Sequence, residues 1–423
     1  MMRHRQAGRP FSGRVFISTL GITQIISWGT LYYSIAVLAK PIQMELGFSE
    51  FQVFGAFTAA LFLSGLAAPF VGRLIDAQGG RNAMATGSAL GALAFAAIGA
   101  SSAFPLFLAG WCIAGLAMAA CLYEAAFATL NRCTAPERYR RAVTALTLFG
   151  GFASTVFWPV THVLQAEGGW RATCFIYAAL HLLACLPLHL WVIPRAAFVP
   201  GAITSQTSET SDTSDTSETL EDKAVPDTLV PALPKDKRFT ALSIAFASNA
   251  FIFSVLSVYL IQILNTRGLS NTEAILLASL VGPFQVGARI VEFALASRVR
   301  AITSGSVSFA LVLAALVLLW WLQGLSAIAF AFIALYGASN GIMTIARGTV
   351  PAELFGRDGY GALLGRLARP SFIAKAFAPA LFALGITWGM DFDTGLTLLA
   401  ACAALGWLAY SVAAGTRTHS RRT

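Results

Sequence analysis

Apolar runs of roughly 20 residues recur along the chain, and that length crosses a bilayer as an α-helix. They fall at about 15–39, 51–73, 83–101, 104–130, 142–163, 172–193, 240–264, 273–296, 304–322, 327–347, 361–387 and 392–413. Twelve spans are predicted, numbered 1 to 12 below. Apolar alternation at period 2 is absent, so a β-barrel is not expected. The fold class is an all-α polytopic membrane protein. Residues 195–238 interrupt the pattern, and their centre reads SQTSETSDTSDTSETLED. Such a polar, acidic, low-complexity tract cannot bury apolar surface and is expected to be a disordered cytoplasmic tether. Its Ser/Thr content also suits regulatory phosphosites.

Composition narrows the picture. Of 423 residues, 57% are hydrophobic and only 12% charged, against about 25% charged in a soluble domain. The net charge of +9 sits in short loops, which favours membrane orientation over nucleic-acid binding. With the N-terminus inside, the loops after spans 2, 4, 6, 8 and 10 carry Arg81; Arg132, Arg138, Arg140 and Arg141; Lys235, Lys237 and Arg238; Arg298 and Arg300; and Arg357. The termini add Arg3, Arg5, Arg9, Arg421 and Arg422, whereas the opposite loops hold only Lys40, Arg171 and Arg267. Both termini are therefore expected in the cytoplasm, with the protein in the plasma membrane, or the inner membrane of a Gram-negative cell. The basic start, Met1 to Arg14, mimics a signal peptide, but its apolar run is too long and no cleavage site follows, so span 1 is kept. Trp170, Trp320, Trp321 and Trp388 are placed at the outer interface as an aromatic belt. The six Cys lack metal-type spacing and read as small core residues.

The two halves echo each other. Arg132, Thr134 and Pro136 after span 4 match Arg347, Thr349 and Pro351 after span 10, an offset of 215 residues (351 − 136). Phe152, Phe157 and Pro159 match Phe372, Phe377 and Pro379 at 220 (379 − 159). Gly47 and Ser49 match Gly268 and Ser270 at 221 (270 − 49). Three echoes in order predict a six-plus-six duplication: a bundle at 1–194, the linker at 195–238, and a bundle at 239–423. Even-numbered repeats share one orientation and are related by an axis along the membrane normal, with a solute site between them near the midplane.

Gly72, Asp76, Gly79, Gly80 and Arg81 follow span 2 in the pattern G-x3-D-x2-G-G-R. This resembles the cytoplasmic loop motif of the major facilitator superfamily, G-x3-D-R-x-G-R-R, with Ala77 and Gly80 replacing two basic positions. The resemblance implies two pseudo-symmetric six-helix bundles working by alternating access. It also implies that Asp76 and Arg81 are gating residues, with Gly72 and Gly79 as loop positions. Span 5 lacks the G-P-x2-G-G run of drug–proton antiporters. Spans 1 and 5, and Ala288-Arg289 in span 8, look more like the monocarboxylate and oxalate–formate branch. There the arginine meets a substrate carboxylate; the branch's acidic partner is Gln285 here.

Ionisable residues inside a membrane are functional candidates by default. By the repeat, Arg289 lies two turns inside the membrane and Lys375 near mid-span, the latter as a substrate cation or a structural pair. Arg347 maps onto Arg132 and is expected to snorkel at the interface; Arg366 and Arg369 are read likewise. Glu124 is the deepest carboxylate of the first half, either a proton carrier or a partner of Arg289 or Lys375. Glu292, three residues after Arg289, is expected to pair with it. Gln285, Trp28, Tyr32, Asn249 and Asn340 complete the candidate site; Tyr33, Gln24 and Tyr336 are secondary. His162, His181 and His189 are not placed in it.

No nucleotide-binding or nucleophile motif is present, so neither enzymatic chemistry nor a cofactor is expected. The expected function is proton-coupled secondary transport of a small solute, a monomer's task. Two deep cations against one deep acid favour a small organic anion such as a monocarboxylate. The alternatives are export of drugs, toxic compounds or metabolites, and, from another class, a non-transporting membrane sensor.

Overall fold

The computed structural model describes residues 13–194, 236–322 and 326–415. Among them all regular structure is helical. Eleven continuous helical stretches are long and apolar enough to cross a membrane. One of them, Pro136–Val192, runs 57 residues, roughly 85 Å of helix and too long for one crossing. Gly169 divides it: its φ of 77° is a backbone turn that L side chains rarely adopt. The count is therefore twelve spans.

Spans 2 and 3 are Glu50–Gln78 and Gly80–Gly99; spans 9 to 12 are Ala301–Trp321, Ser326–Phe355, Tyr360–Thr387 and Phe392–Gly415. Span 7, Lys237–Thr266, is capped by Asp236, whose carboxylate accepts from the Arg238 amide at 2.9 Å. The second half thus begins two residues before the expected linker boundary of 238. The rest of that linker, 195–235, and both chain ends lie outside the described residues. Span 5 begins at Pro136 rather than 142. The apolar window marks only the part in lipid, whereas Pro at the first helical turn and the polar run after it extend the helix into the loop.

The duplication is visible in the backbone. Gly47 and Gly268 both turn with positive φ, 67° and 90°. Two residues on, Ser49 and Ser270 each close a capping box, with Gln52 and Glu273 respectively. Spans 1–6 and spans 7–12 each carry an apolar core, and that of spans 1–6 also takes in Ala368, Phe372 and Ala376 of span 11. A third core joins them and contains Tyr123, Phe127 and Tyr139 of the first half with Phe246, Met343 and Tyr360 of the second. Spans 2 and 11 cross at backbone contact: a Cβ on Gly72 would strike the Gly361 carbonyl, and one on Gly365 the Ala68 carbonyl.

One aromatic departs from its expected place. Trp170 is buried, and its Nε1 donates to Glu45 at 2.6 Å, with the Arg171 guanidinium 4.3 Å above the ring. The Gly169 turn aims the indole inward at a carboxylate, and that charge-assisted bond outweighs an interfacial position. Trp320, Trp321 and Trp388 are exposed, as a belt requires. All six Cys are free thiols.

Candidate functional site

Several spans lose regular helix near their middle. Span 1 widens into a π-helical turn at Trp28–Tyr33, between Gly13–Ser27 and Ile35–Leu46. Span 4 is split at Leu122 into Phe104–Cys121 and Tyr123–Cys133. Span 5 steps at Phe152 and span 8 at Leu280. Within a membrane such irregularity persists only where backbone groups find other partners or line a cavity. Gln24 provides one, donating from Nε2 to the Cys121 carbonyl at 2.6 Å.

The break in span 4 places Tyr123 and Glu124 in the first turn of a new helix, where a carboxylate meets the positive end of the helix dipole. Glu124 receives Arg347 of span 10 at 2.7 Å, an ion pair between the halves. The expected partners, Arg289 and Lys375, are not its ion-pair partners. Arg347 is not a snorkelling residue either: with Glu124 it lines a narrow cavity that also meets Phe246, Thr344 and Leu367. The sequence offset set Arg347 over Arg132, but an offset fixes depth and not which face a long side chain takes. The first half's helix ends at Cys133, whereas span 10 runs on to Phe355. Asn340, Thr344 and Arg347 share one helix face at spacings of four and three.

Lys375 projects from span 11 into rings. Its Nζ lies 4.1 Å from the Tyr32 centroid, 5.3 Å from Phe253 and 5.8 Å from Trp28. Among the described residues it has no ion pair or side-chain hydrogen bond. Trp28 packs in turn on Tyr123 at 4.9 Å. Arg289 is buried and bridges the halves, donating to the Thr147 carbonyl at 2.9 Å and to Thr344 Oγ1 at 3.3 Å. Glu292 does not pair with it. Arg140, reaching over from span 5, forms the ion pair with Glu292, and Ser304 donates to the same carboxylate at 3.0 Å. An arginine on a facing helix can approach a carboxylate end-on, a geometry that two neighbours on one helix lack. Gln285 is half-buried where span 8 meets Gly341 of span 10. Asn249 and Asn340 are buried in spans 7 and 10.

The last turn of span 2 is bonded to the other half. The Asp76 carboxylate accepts from the backbone N–H groups of Gly361 at 2.8 Å and Ala362 at 2.7 Å. It thereby caps the first turn of span 11 in the other half, and Gly72 allows that approach. Gly79 makes the turn with φ 84°, and Arg81 is half-buried at the start of span 3. Further contacts at this end were not legible in the sequence. Arg357 donates to the Asn131 side chain and carbonyl and to the Thr134 carbonyl, and lies 5.0 Å above the Tyr139 ring. Tyr139 donates to the Gly348 carbonyl at 2.8 Å. At the opposite end Glu45 pairs with Arg171 and Arg267 with Asp393, each pair within its own half.

Of the three cations, Arg347 is paired with Glu124, Arg289 is hydrogen-bonded to Thr147 and Thr344, and Lys375 is surrounded by aromatic rings. Phe253 and Tyr123 were missed by sequence reasoning; among 31 Phe and 9 Tyr, nothing marks these two. Arg140 was visible only as a loop charge.

The sequence matches the family model of the Major Facilitator Superfamily over residues 20–367. No curated protein matches the chain at the sequence level. Among solved structures it is similar to the human organic anion transporter MFSD10 (TETRAN), with TM-score 0.69, 15% identity, and coverage of 94% of this chain and 99% of that one. FucP in its outward conformation gives TM-score 0.66 at 14% identity, covering 94% and 98%. The proton:xylose symporter XylE gives 0.66 at 12%, covering 95% and 96%. At these identities the likeness is one of fold.

Proposed function

The chain belongs to the major facilitator superfamily, and from that premise we propose that it carries a small organic anion by proton-coupled alternating access. As a member of the family it is an integral membrane transporter, not an enzyme. The observation that supports the anion reading is Lys375, an ammonium caged by rings from both halves and, among the described residues, without a carboxylate ion pair. An unpaired charge in a low-dielectric site is costly, so it is retained where a ligand supplies the counter-charge. The resemblance of spans 1, 5 and 8 to the monocarboxylate branch supports the same substrate class.

Glu124 and Arg347 are the coupling pair in this reading. Protonation of Glu124 would release Arg347 and weaken one bond between the halves. Arg289, Gln285, Asn249 and Asn340 line the path, and Trp28 and Tyr32 form the wall. Gly72, Asp76, Gly79 and Arg81 form the gate. In this reading the loop charges favour the Arg-rich end and both termini on the cytoplasmic side of the plasma membrane, with residues 195–235 as a tether between bundles. The described conformation is then outward-facing. Uptake of labelled monocarboxylates into proteoliposomes under an imposed pH gradient tests the proposal. Uptake should require the gradient and vanish in Lys375→Gln. Gradient-independent uptake would overturn the coupling, and unchanged uptake in Lys375→Gln would overturn the anion site.

A further inference from the structure

Resting on the anion reading, we infer that the substrate is an aromatic monocarboxylate, its carboxylate on Lys375 and its flat body against the rings of span 1. The charge count sets the single carboxylate. Of the three cations, Arg347 is paired with Glu124 and Arg289 is bonded to Thr147 and Thr344. Among the described residues Lys375 alone of the three has no ion pair or side-chain hydrogen bond, so one carboxylate saturates the site and a second meets no cation that is not already engaged.

The ring follows from what surrounds that ammonium. A carboxylate reaching Lys375 enters among Tyr32, Trp28 and Phe253, and whatever it carries must rest on ring surfaces. Those surfaces continue outward: Tyr32 stands edge-on to Tyr33 at 5.2 Å and to Phe57 at 5.5 Å, and Tyr33 to Trp158 at 6.2 Å. Flat bodies gain edge-to-face or offset-stacked contacts there beyond simple burial.

Binding to the purified full-length transporter, read by thermal shift and by competition for labelled benzoate, tests this inference. The probes are benzoate, cyclohexanecarboxylate, lactate, terephthalate and benzyl alcohol. Benzoate should bind about tenfold more tightly than lactate or cyclohexanecarboxylate, the order of effect that ring contacts produce. Terephthalate should bind weakly. Tyr32→Leu should erase benzoate's advantage over lactate, and Tyr32→Phe should keep it, which separates ring loss from misfolding. Lactate equal to or tighter than benzoate, with both lost in Lys375→Gln, would overturn the aromatic inference and leave the anion reading standing. Benzyl alcohol binding as well as benzoate, unaffected by Lys375→Gln, would overturn the anion reading. Binding by none of the probes would overturn the aromatic inference.

Discussion

Lys375 and Arg347 carry the same charge in different surroundings. Arg347 has a fixed counter-ion in Glu124; Lys375 has ring faces, whose attraction to a cation is worth about 0.5–2 kcal/mol. In the proposed site, removing the Lys375 charge would delete a charge-assisted bond to substrate worth roughly 1.5–3 kcal/mol. Lys375→Gln should therefore weaken anion binding by about 10- to 150-fold, measured by titration of the purified protein, with thermal stability near wild type. Glu124→Gln acts differently. It keeps the shape but leaves Arg347 without its counter-charge, and a broken pair in a partly buried setting lowers stability. Solute exchange across equal pH should persist, while accumulation against a gradient should be lost. Gradient-driven accumulation at wild-type level in Glu124→Gln would remove Glu124 from the coupling role.

Helices place these residues through their interruptions. The break at Leu122 turns Glu124 into a first-turn residue, and the wide turn at Trp28–Tyr33 presents two consecutive tyrosines with Trp28 to the midline. The crossing of spans 2 and 11 is the complementary case, where regular helices meet because side chains are missing. Gly72→Val would drive a branched side chain into the Gly361 carbonyl. Overpacking of about 1–3 kcal/mol there should shift the closed-to-open ratio at the Arg-rich end by roughly 5- to 150-fold. Distance measurements between spin labels on spans 2 and 11 should show the separated population. An unchanged distance distribution would mean that the crossing does not control closure.

Across the whole molecule the halves are tied at the Arg-rich end, by Asp76 on span 11, Arg357 on Asn131, Tyr139 on Gly348 and Arg140 on Glu292. Removing two of these ties should release that end. The double variant Arg140→Ala, Arg357→Ala should raise maleimide labelling of Cys133 at least several-fold, since each lost bond to a charged group shifts the equilibrium by roughly 1.5–3 kcal/mol. Labelling that stays at wild-type rates would show that these contacts do not set the conformation. The tether is expected to be dispensable. Deleting residues 203–222 should leave most of the flux, whereas a membrane sensor would lose its output.

Twelve spans and a duplicated architecture could be derived from the sequence alone, because lipid demands about 20 apolar residues per crossing and the two capping-box serines repeat their own spacing. Pairing could not. Whether Arg347 meets lipid headgroups or Glu124, and whether Glu292 meets Arg289 or Arg140, depends on which helix faces come together across the bundle interface. A hydrophobic pattern averages over those faces in helices that are apolar nearly all round. The ring cage of Lys375 draws Tyr32 and Phe253 from residues more than 200 positions apart in the chain (253 − 32). Only the packed halves bring those side chains to one charge.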